Sequence, residues 1–435
     1  MKKLLLAGIC FSFAACLTSL KAQHGLESII SEKAEAIEAK VVEWRRHLHA
    51  NPELSNREFK TAEYVANHLK ALGMDVQTGI AHTGVVALLE GGKPGPVVGL
   101  RADMDALPVT ERVDIPFASK VISEYNGIET GVMHACGHDT HVAILMGVAE
   151  ILSEVKADIP GTIKFIFQPA EEGAPVGEEG GAKLMVEEGV MENPKVEAIF
   201  GLHINSQLEV GHIGYKPGGS LAAADRFRIL VRGRQSHGSQ PWGGVDPIVA
   251  SAQIVMGLQT IISRQTELTK EAAVISVGLI RGGIRNNIIP EECEMIGTIR
   301  TLDTDMQDLI HKKIKHTATT IAAASGAVAE VEIFKGYPVT YNNPDLTLDM
   351  VSTLERSVGK DNVHLQVART GAEDFSYYAM EAPGLFVFLG GRPSEVAPKD
   401  AAPHHTPDFY IDEGGFVNGV KVLANLALEY MESKQ

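Results

Sequence analysis

The stretch "DTHVAILMGVAEILSEV" (Asp139–Val155) decides the fold class, because it reads as a helix between two short apolar runs. Asp139 is the candidate N-cap of this helix. "VVGLRADMD" (97–105) precedes it, "TIKFIFQ" (162–168) follows it, and "EAIFGLH" (197–203) continues the alternation. Strands that alternate with helices of this length predict an α/β fold with a largely parallel sheet.

A different order of elements begins near Pro217. "RFRILVRG" predicts a strand, Asp246-Pro247 opens a helix, and two strands, a second helix and a last strand follow. The order βαββαβ is the signature of a small α+β sandwich. The α/β pattern then resumes, so we expect one larger domain of residues 23–215 plus 336–435, interrupted by an inserted α+β domain of residues 216–335.

Composition limits the classes of partner. The chain of 435 residues is 45% hydrophobic and 22% charged, with a formal net charge of −16 at pH 7. This length predicts two domains. The negative charge argues against nucleic acid or an anionic membrane as the main partner.

The first residues are typical of a secretory signal. "MKKLLLAGICFSFAACLTSLKA" (1–22) has two lysines, an apolar run too short to span a bilayer, and small residues near its end. Cleavage after Ala22 is the first choice and predicts an exported, periplasmic protein. "FAAC" (13–16) resembles a lipoprotein box, so a lipid anchor on Cys16 stays open as the one route to a membrane. Of the cysteines, Cys136 and Cys293 would remain, which is not a disulfide framework.

Residues of metal-binding type follow several predicted strands, and "HACGHDTH" (134–141) adds a dense group of them. The strand-end residues are Asp103, Asp105, Glu171, Glu172, His203, His404 and His405. Because ligands bind outside the carboxyl ends of strands in an open α/β sheet, these residues would meet at one rim. Cysteine, histidine and carboxylate together favour zinc, cobalt, nickel or manganese over calcium or magnesium. More ligands than one tetrahedral ion needs predict two divalent ions, with a spare glutamate as general base. A redox site is disfavoured because no C-x-x-C motif is present.

Eight motifs also occur in the order found in a known family. They are "GLRADMDALPVTE", "MHACGHDTH", "FIFQPAEEG", "FGLH", "GRQSHGSQPWGGVDPI", "GGIRNNIIPEE", "TGAEDFSYY" and "HHTPDF". From about Trp44 to Phe409 the chain resembles the di-metal amidohydrolases related to aminoacylase and carboxypeptidase G. The cysteine in "HACGHD" resembles the branch of hippurate hydrolases and indoleacetyl-amino-acid hydrolases in particular.

The resemblance implies roles for individual residues. The metal ligands would be Cys136, His138, Glu172, His203 and His405, with Cys136 as a bridging thiolate. Glu171 would be the catalytic base. His404 competes with His405 for the last position. Asp105 would steady a ligand, and a helix or turn cap is its alternative role.

In the inserted domain, the resemblance implies that His237 polarises the scissile carbonyl, a role filled from the partner subunit in related dimeric enzymes. Asn287 would contact substrate, with Asn286 as the competing candidate. Arg300 would bind a substrate carboxylate. The inserted domain would serve as a lid and as the interface of a homodimer.

The expected function is metal-dependent hydrolysis of the amide bond of small N-acyl amino acids such as hippurate. A carboxypeptidase or dipeptidase acting on peptides would use the same site. A non-catalytic protein that binds acyl amino acids is the third alternative, and Glu171 argues against it because a receptor needs no base.

Overall fold

The computed structural model describes residues 25–435 with their side chains. The expected signal sequence, residues 1–22, and the alternative anchor at Cys16 lie outside these described residues, so both stay predictions. Between residues 25 and 435, none of the helices combines the length and the apolar character that crossing a membrane requires.

The elements are numbered along the chain. The helices are α1 (Lys2–Ala50), α2 (Phe59–Ala71), α3 (His138–Glu154), α4 (Gly181–Glu187), α5 (Pro247–Gln265), α6 (Thr304–Ala324), α7 (Pro344–Val358), α8 (Ser376–Glu381) and α9 (Phe416–Ser433). The strands are β1 (Asp75–Ile80), β2 (Gly84–Glu90), β3 (Lys93–Asp103), β4 (Ile122–Tyr125), β5 (Ile128–Gly131), β6 (Pro160–Gln168), β7 (Ala198–Glu209), β8 (Ile213–Tyr215), β9 (Gly218–Leu221), β10 (Ala223–Arg232), β11 (Ser236–His237), β12 (Ala273–Gly282), β13 (Ile288–Ile289), β14 (Glu292–Thr301), β15 (Val328–Phe334), β16 (Thr340–Asn342), β17 (Val363–Leu365) and β18 (Gly384–Arg392).

The chain forms two compact units. The first comprises Met1–Tyr215, Asp345–Leu365 and Glu381–Gln435, and the second comprises Lys216–Pro344 and Gln366–Met380. The second unit thus runs past residue 335, where the sequence places the end of the insert. The cause is hydrogen bonding, because β16 pairs with β9 and residue 369 bridges to residue 221.

The first unit is built on an eight-stranded sheet of order β1-β2-β6-β3-β7-β18-β8-β17. Its centre, β6-β3-β7-β18, is parallel throughout, while antiparallel pairs occur toward both edges. The expected α/β class with a largely parallel sheet is confirmed. The carboxyl ends of the central strands therefore share one edge of the sheet.

Helix α3 packs on this sheet and is almost completely buried. Every residue from His138 to Leu152 except Glu150 is buried, and the helix packs on α1, α9 and β3. The expected N-cap is wrong: α3 starts at His138, and Gly137 precedes it with φ 91°. A Cβ at Gly137 would lie 2.3 Å from Cγ2 of Ile204, so both the backbone angle and the space require glycine.

The second unit contains the antiparallel sheet β12-β14-β10-β15, covered by α5 and α6. Helix α5 begins as expected, because Asp246 accepts hydrogen bonds from the amides of Ile248 and Val249 at 2.9 and 3.2 Å. The apolar positions of both helices pack on the inward residues of β10 and β14, such as Ile229 and Ile299. The predicted βαββαβ order of the insert is present.

Candidate metal centre

Five segments of the first unit deliver side chains to one edge of its sheet. Asp103 ends β3 opposite Gln168, the last residue of β6, and the Glu171-Glu172 pair follows three residues later. His203 lies within β7, which continues to Glu209, so the expectation that His203 ends its strand is wrong. The segment before α3 and the turn around His405 complete the group.

Cys136 lies at the centre of this cluster. Its Sγ is 3.4 Å from Nε2 of His203 and 3.3 Å from Nε2 of His405. Cys136 belongs to two groups whose ligand atoms lie within 4.8 Å of one another, one with His138 and His203 and the other with Glu172 and His405. Donor atoms that share one tetrahedral ion at about 2.0–2.3 Å are separated by about 3.3–3.8 Å. The arrangement therefore offers two adjoining positions for a cation, with one sulfur common to both.

His138 presents its Nε2 atom to the cluster. Its Nδ1 lies 3.2 Å from Oδ1 of Asp105, which fixes the ring and leaves Nε2 as the free ligand atom. Nε2 is buried without a hydrogen-bond partner and lies 3.7 Å from Oε2 of Glu171 and 3.9 Å from Oε1 of Glu172. A buried nitrogen of this kind facing two carboxylates fits a bound cation, since buried polar atoms otherwise find a partner.

His203 and the two adjacent histidines are oriented by backbone groups. Nδ1 of His203 donates to the carbonyl of Ile204 at 2.6 Å, so Nε2 faces Cys136. His404 uses both ring nitrogens on the backbone, with Nδ1 3.2 Å from the carbonyl of Cys136 and Nε2 accepting from the amide of Ser206 at 3.2 Å. His405, at φ 63°, instead turns its Nε2 to within 3.0 Å of Oε1 of Glu172. His405 therefore faces the ligand cluster, whereas His404 is bound to backbone groups.

Asp105 joins the ligand cluster to the glutamate pair. Its Oδ1 accepts the amide of Glu171 and its Oδ2 accepts the amide of Glu172, both at 3.0 Å. Ser55 donates to Oδ2 at 2.7 Å. Burial opposes the ionised form, but the hydrogen bond and charge of His138 outweigh it and lower the pKa of Asp105. The carboxylate therefore acts as a turn cap and as an orienting partner of His138 at once.

His141 is held for structure. Its Nδ1 lies 2.5 Å from Oδ1 of Asp103, and its Nε2 accepts the amide of Ile204 at 2.8 Å. Arg101 donates to the other oxygen of Asp103 at 2.6 Å. Because both ring nitrogens have partners, His141 packs α3 against β7 and is not available as a ligand.

Asp139, the expected N-cap, instead joins a buried ion-pair network. Nε of Arg45 lies 2.9 Å from Oδ2 of Asp139, and Nδ1 of His49 lies 2.7 Å from the same oxygen. Burial opposes ionisation, but Arg45 and His49 outweigh it and lower the pKa of Asp139. His49 also contacts Glu111 at 3.1 Å. This network fastens α1 to the first turn of α3.

The cluster is electrostatically suited to cations. Burial raises the pKa of the Cys136 thiol, and the charges of Glu172 and Glu171 raise it further. A thiolate therefore needs a positive neighbour at Sγ. Burial disfavours the cationic form of His138, yet Asp103 and Asp105 outweigh it and raise its pKa to about 10. Both shifts show that the surrounding carboxylates favour positive charge at this place.

The remaining predicted residues lie in the second unit. His237 is exposed on β11 and pairs with Ile288 of β13, which brings Asn287 next to it. The amide of Ser239 donates to Nδ1 of His237 at 3.1 Å, so the neutral ring carries its proton on Nε2. Arg300 is half-buried on β14 and donates to the carbonyl of Ile299 at 3.4 Å. Their roles toward substrate stay predictions.

Sequence reasoning missed several buried partners of this cluster, namely Arg45, His49, Ser55, Glu58 and Arg101. Only Glu53–Phe59, "ELSNREF", carried a local signal, since its polar residues directly precede the amphipathic helix α2. The partners of Ser55 and Glu58 lie 50 and 112 residues along the chain, so that the local pattern does not reveal them.

Comparison with known proteins gives similarity over most of the chain. Residues 99–429 match the family described as "Peptidase family M20/M25/M40". Thermostable carboxypeptidase 2 of Saccharolobus solfataricus is 40% identical over 406 residues, with 92% of this chain and 98% of that protein covered. N-acetylcysteine deacetylase of Bacillus subtilis is 36% identical over 400 residues, covering 92% and 99%. A crystal structure described as a dinuclear metal binding peptidase of the M20 family from Bacillus subtilis superposes with a TM-score of 0.76 at 34% identity, covering 92% and 99%.

Proposed function

Because the chain belongs to peptidase family M20/M25/M40, we propose that it is a dinuclear metal-dependent hydrolase of the amide bond of N-acyl amino acids. The observation that carries the proposal is that Cys136 takes part in two groups of ligand atoms, with Glu171 beside them. A structural metal site has four ligands closed around one ion and no spare base. The similar peptidase described as dinuclear supports two ions.

Cys136, His138 and His203 would hold one ion, and Cys136, Glu172 and His405 the other. The donor chemistry suits zinc, manganese, cobalt or nickel. The buried, unpartnered Nε2 of His138 and the raised pKa of the Cys136 thiol support this fit, since both atoms become favourable next to a cation. Asp105 would keep His138 in the required tautomer.

Two divalent ions supply the positive charge that acidifies water and stabilises a developing oxyanion. Glu171 would take a proton from the attacking water and deliver it to the nitrogen of the departing amine, as the bond from carbon to the new oxygen forms and the carbon–nitrogen bond breaks. The backbone amide of Glu171 is hydrogen-bonded to Asp105, and this bond would orient the carboxylate of Glu171. His237, with its proton on Nε2, would donate to the substrate carbonyl oxygen.

N-acyl amino acids are the preferred substrate class because the similar deacetylase acts, by its name, on N-acetylcysteine. Asn287 and Arg300 would bind the polar end of such a substrate, Arg300 through the carboxylate. The similarity to a carboxypeptidase supports cleavage of short peptides as a second candidate, since the same residues would serve. Export to the periplasm, a homodimer and a lid role of the second unit accompany the proposal as predictions.

The test is hydrolysis by residues 23–435 loaded with zinc or manganese. Hippurate, other N-acyl amino acids and dipeptides are offered, and release of free amino acid is measured. Glu171→Gln should reduce turnover by at least about 10²-fold with metal content unchanged. Glu179→Gln, an exposed glutamate of the following loop, is the matched control and should keep wild-type rates. Binding of these compounds without turnover by the metal-loaded wild type would favour the binding protein instead.

A further inference from the structure

Glu58 is a fully buried carboxyl outside the groups of potential metal ligands found in residues 25–435. Its Oε2 accepts the hydroxyl of Thr83 at 2.6 Å, and its Oε1 accepts the amide of Ala170 at 2.9 Å. Removing a carboxyl from water is unfavourable unless its oxygens are hydrogen-bonded. The bond to Ala170 reaches the residue directly before Glu171.

Capping of α2 does not account for this side chain. Glu58 occupies the N-cap position, but its carboxyl forms no capping hydrogen bond. Glu53 caps α2 instead, since its Oε2 accepts the amides of Lys60 and Thr61 at 2.9 and 2.8 Å. The carboxyl of Glu58 is therefore free to bind a distant segment of the chain.

Ala170 has an unusual backbone. Its φ is 53°, in the left-handed region that residues with a side chain adopt only when their surroundings hold them there. Its amide is the first of three consecutive amides accepted by buried carboxyls, because Asp105 accepts those of Glu171 and Glu172. Glu58 and Asp105 thus fix the backbone on both sides of the bond that leads to Glu171.

We propose that Glu58 is a positioning residue for Glu171, holding Ala170 in the left-handed conformation that aims the following carboxylate at the substrate. This inference rests on the proposed role of Glu171 as the base. Glu58 itself touches no reacting atom in this scheme and acts through Ala170.

The amide of glutamine can fill the same place. Burial, together with the charge of Asp105, raises the pKa of Glu58 to about 8, so the neutral acid predominates at pH 7. The neutral acid still offers Oε1 as the acceptor for the amide of Ala170, and its other oxygen stays hydrogen-bonded to the Thr83 hydroxyl. Glutamine has the same shape and the same acceptor, whereas alanine leaves the amide of Ala170 without its partner.

The kinetic test compares variants of the metal-loaded chain. Glu58→Ala should lower kcat by about 10²-fold, the size expected when a catalytic group is displaced by about 1 Å, with KM nearly unchanged. Glu58→Gln should keep kcat within about threefold of the wild type, because it preserves the bond to Ala170. Glu53→Gln is the control for a weakened start of α2, and it should leave kcat at the wild-type level.

Hydrogen exchange gives a measurement that needs no turnover. The amides of residues 170–172 should exchange about tenfold faster in Glu58→Ala than in the wild type, the effect of losing one hydrogen bond, and at the wild-type rate in Glu58→Gln. Metal content should stay at two ions per chain in both variants. Should Glu58→Ala not fold, Thr83→Val removes the hydroxyl partner of Glu58 at similar volume and should lower kcat in the same direction.

A folded Glu58→Ala with wild-type kcat and wild-type exchange would overturn the inference. Equal loss of kcat in Glu58→Ala, Glu58→Gln and Glu53→Gln would overturn it as well, because that pattern indicates general damage to α2. An inactive wild type, or an active Glu171→Gln, would count against the proposed function alone, and the exchange rates would still report whether Glu58 holds Ala170.

Discussion

Oδ1 of Asp105 lies 3.2 Å from Nδ1 of His138, and the same oxygen accepts the amide of Glu171. One carboxylate atom thus orients a ligand and the proposed base together. Asp105→Asn places an NH₂ group where an acceptor is needed on one side. We expect metal affinity or activity to fall about 10–100-fold, as for other partners of ligating histidines. Metal titration and kcat measure this decrease, with the exposed Asp114→Asn as control. Equal values in the two variants would contradict the orienting role of Asp105.

Cys136 and His405 should differ in the number of ions that they hold. Cys136→Ser removes the sulfur common to both groups of ligands, so we expect both ions to be lost on desalting. His405→Ala affects one group and should leave one ion per chain. Elemental analysis measures the stoichiometry, and Cys293→Ser, at a buried free cysteine of the second unit, should retain two ions. Retention of two ions by Cys136→Ser would refute the shared ligand.

His237→Ala should affect turnover and not metal binding. Loss of one donor to a developing oxyanion lowers kcat by about 10²–10³-fold in comparable enzymes. Metal content should stay unchanged, because His237 belongs to the second unit and the ligands to the first. His316→Ala, an exposed histidine on α6, is the matched control. A wild-type kcat in His237→Ala would remove this residue from the mechanism.

The stability of the second unit should depend on Asp225 above pH 3.8. Oδ2 of Asp225 accepts bonds from Gln307 at 2.7 Å and His311 at 2.6 Å, and Oδ1 accepts the amide of Gly336 at 3.1 Å. Burial opposes ionisation, but these partners outweigh it and lower the pKa of Asp225 below its usual 3.8. The ionised carboxylate therefore favours folding at neutral pH, and this contribution is lost as the pH falls below 3.8 through the folded value.

Asp225→Asn should accordingly reduce the free energy of unfolding by about 1–3 kcal/mol at pH 7, through an unsatisfied buried group. The difference from the wild type should shrink at pH 3. Urea unfolding followed by circular dichroism at both pH values checks this, beside the exposed Asp349→Asn. A difference that grows on acidification would show that the sign is wrong.

Much of the fold was predictable because its central elements are long and strongly patterned. The expected helix is present as α3, and the expected strands 97–105, 162–168 and 197–203 are present as β3, β6 and β7. The hairpin β4–β5 and the short strands β8 and β17 were not predicted. Their few residues alternate weakly, and their pairing depends on distant neighbours.

The residue types of the site were predictable from the sequence, whereas the partners that orient these residues were not. The expected residues Cys136, His138, Glu172, His203 and His405 lie together, although their roles as ligands stay predictions. The direction of His404 away from the cluster depends on the amide of Ser206, 198 residues earlier in the chain. The buried network of Asp139 with α1 also requires two helices far apart in sequence. Such contacts follow from tertiary packing and leave no local pattern.

Gly137 has a consequence for attempts to redesign this protein. Any side chain there would press on Ile204, whose amide binds His141 and whose carbonyl orients His203. A library aimed at a new metal preference should therefore keep position 137 fixed and diversify His405, which sits in a turn outside helices and strands. Variation at position 405 explores ligand chemistry, whereas variation at position 137 selects only for repair of the backbone.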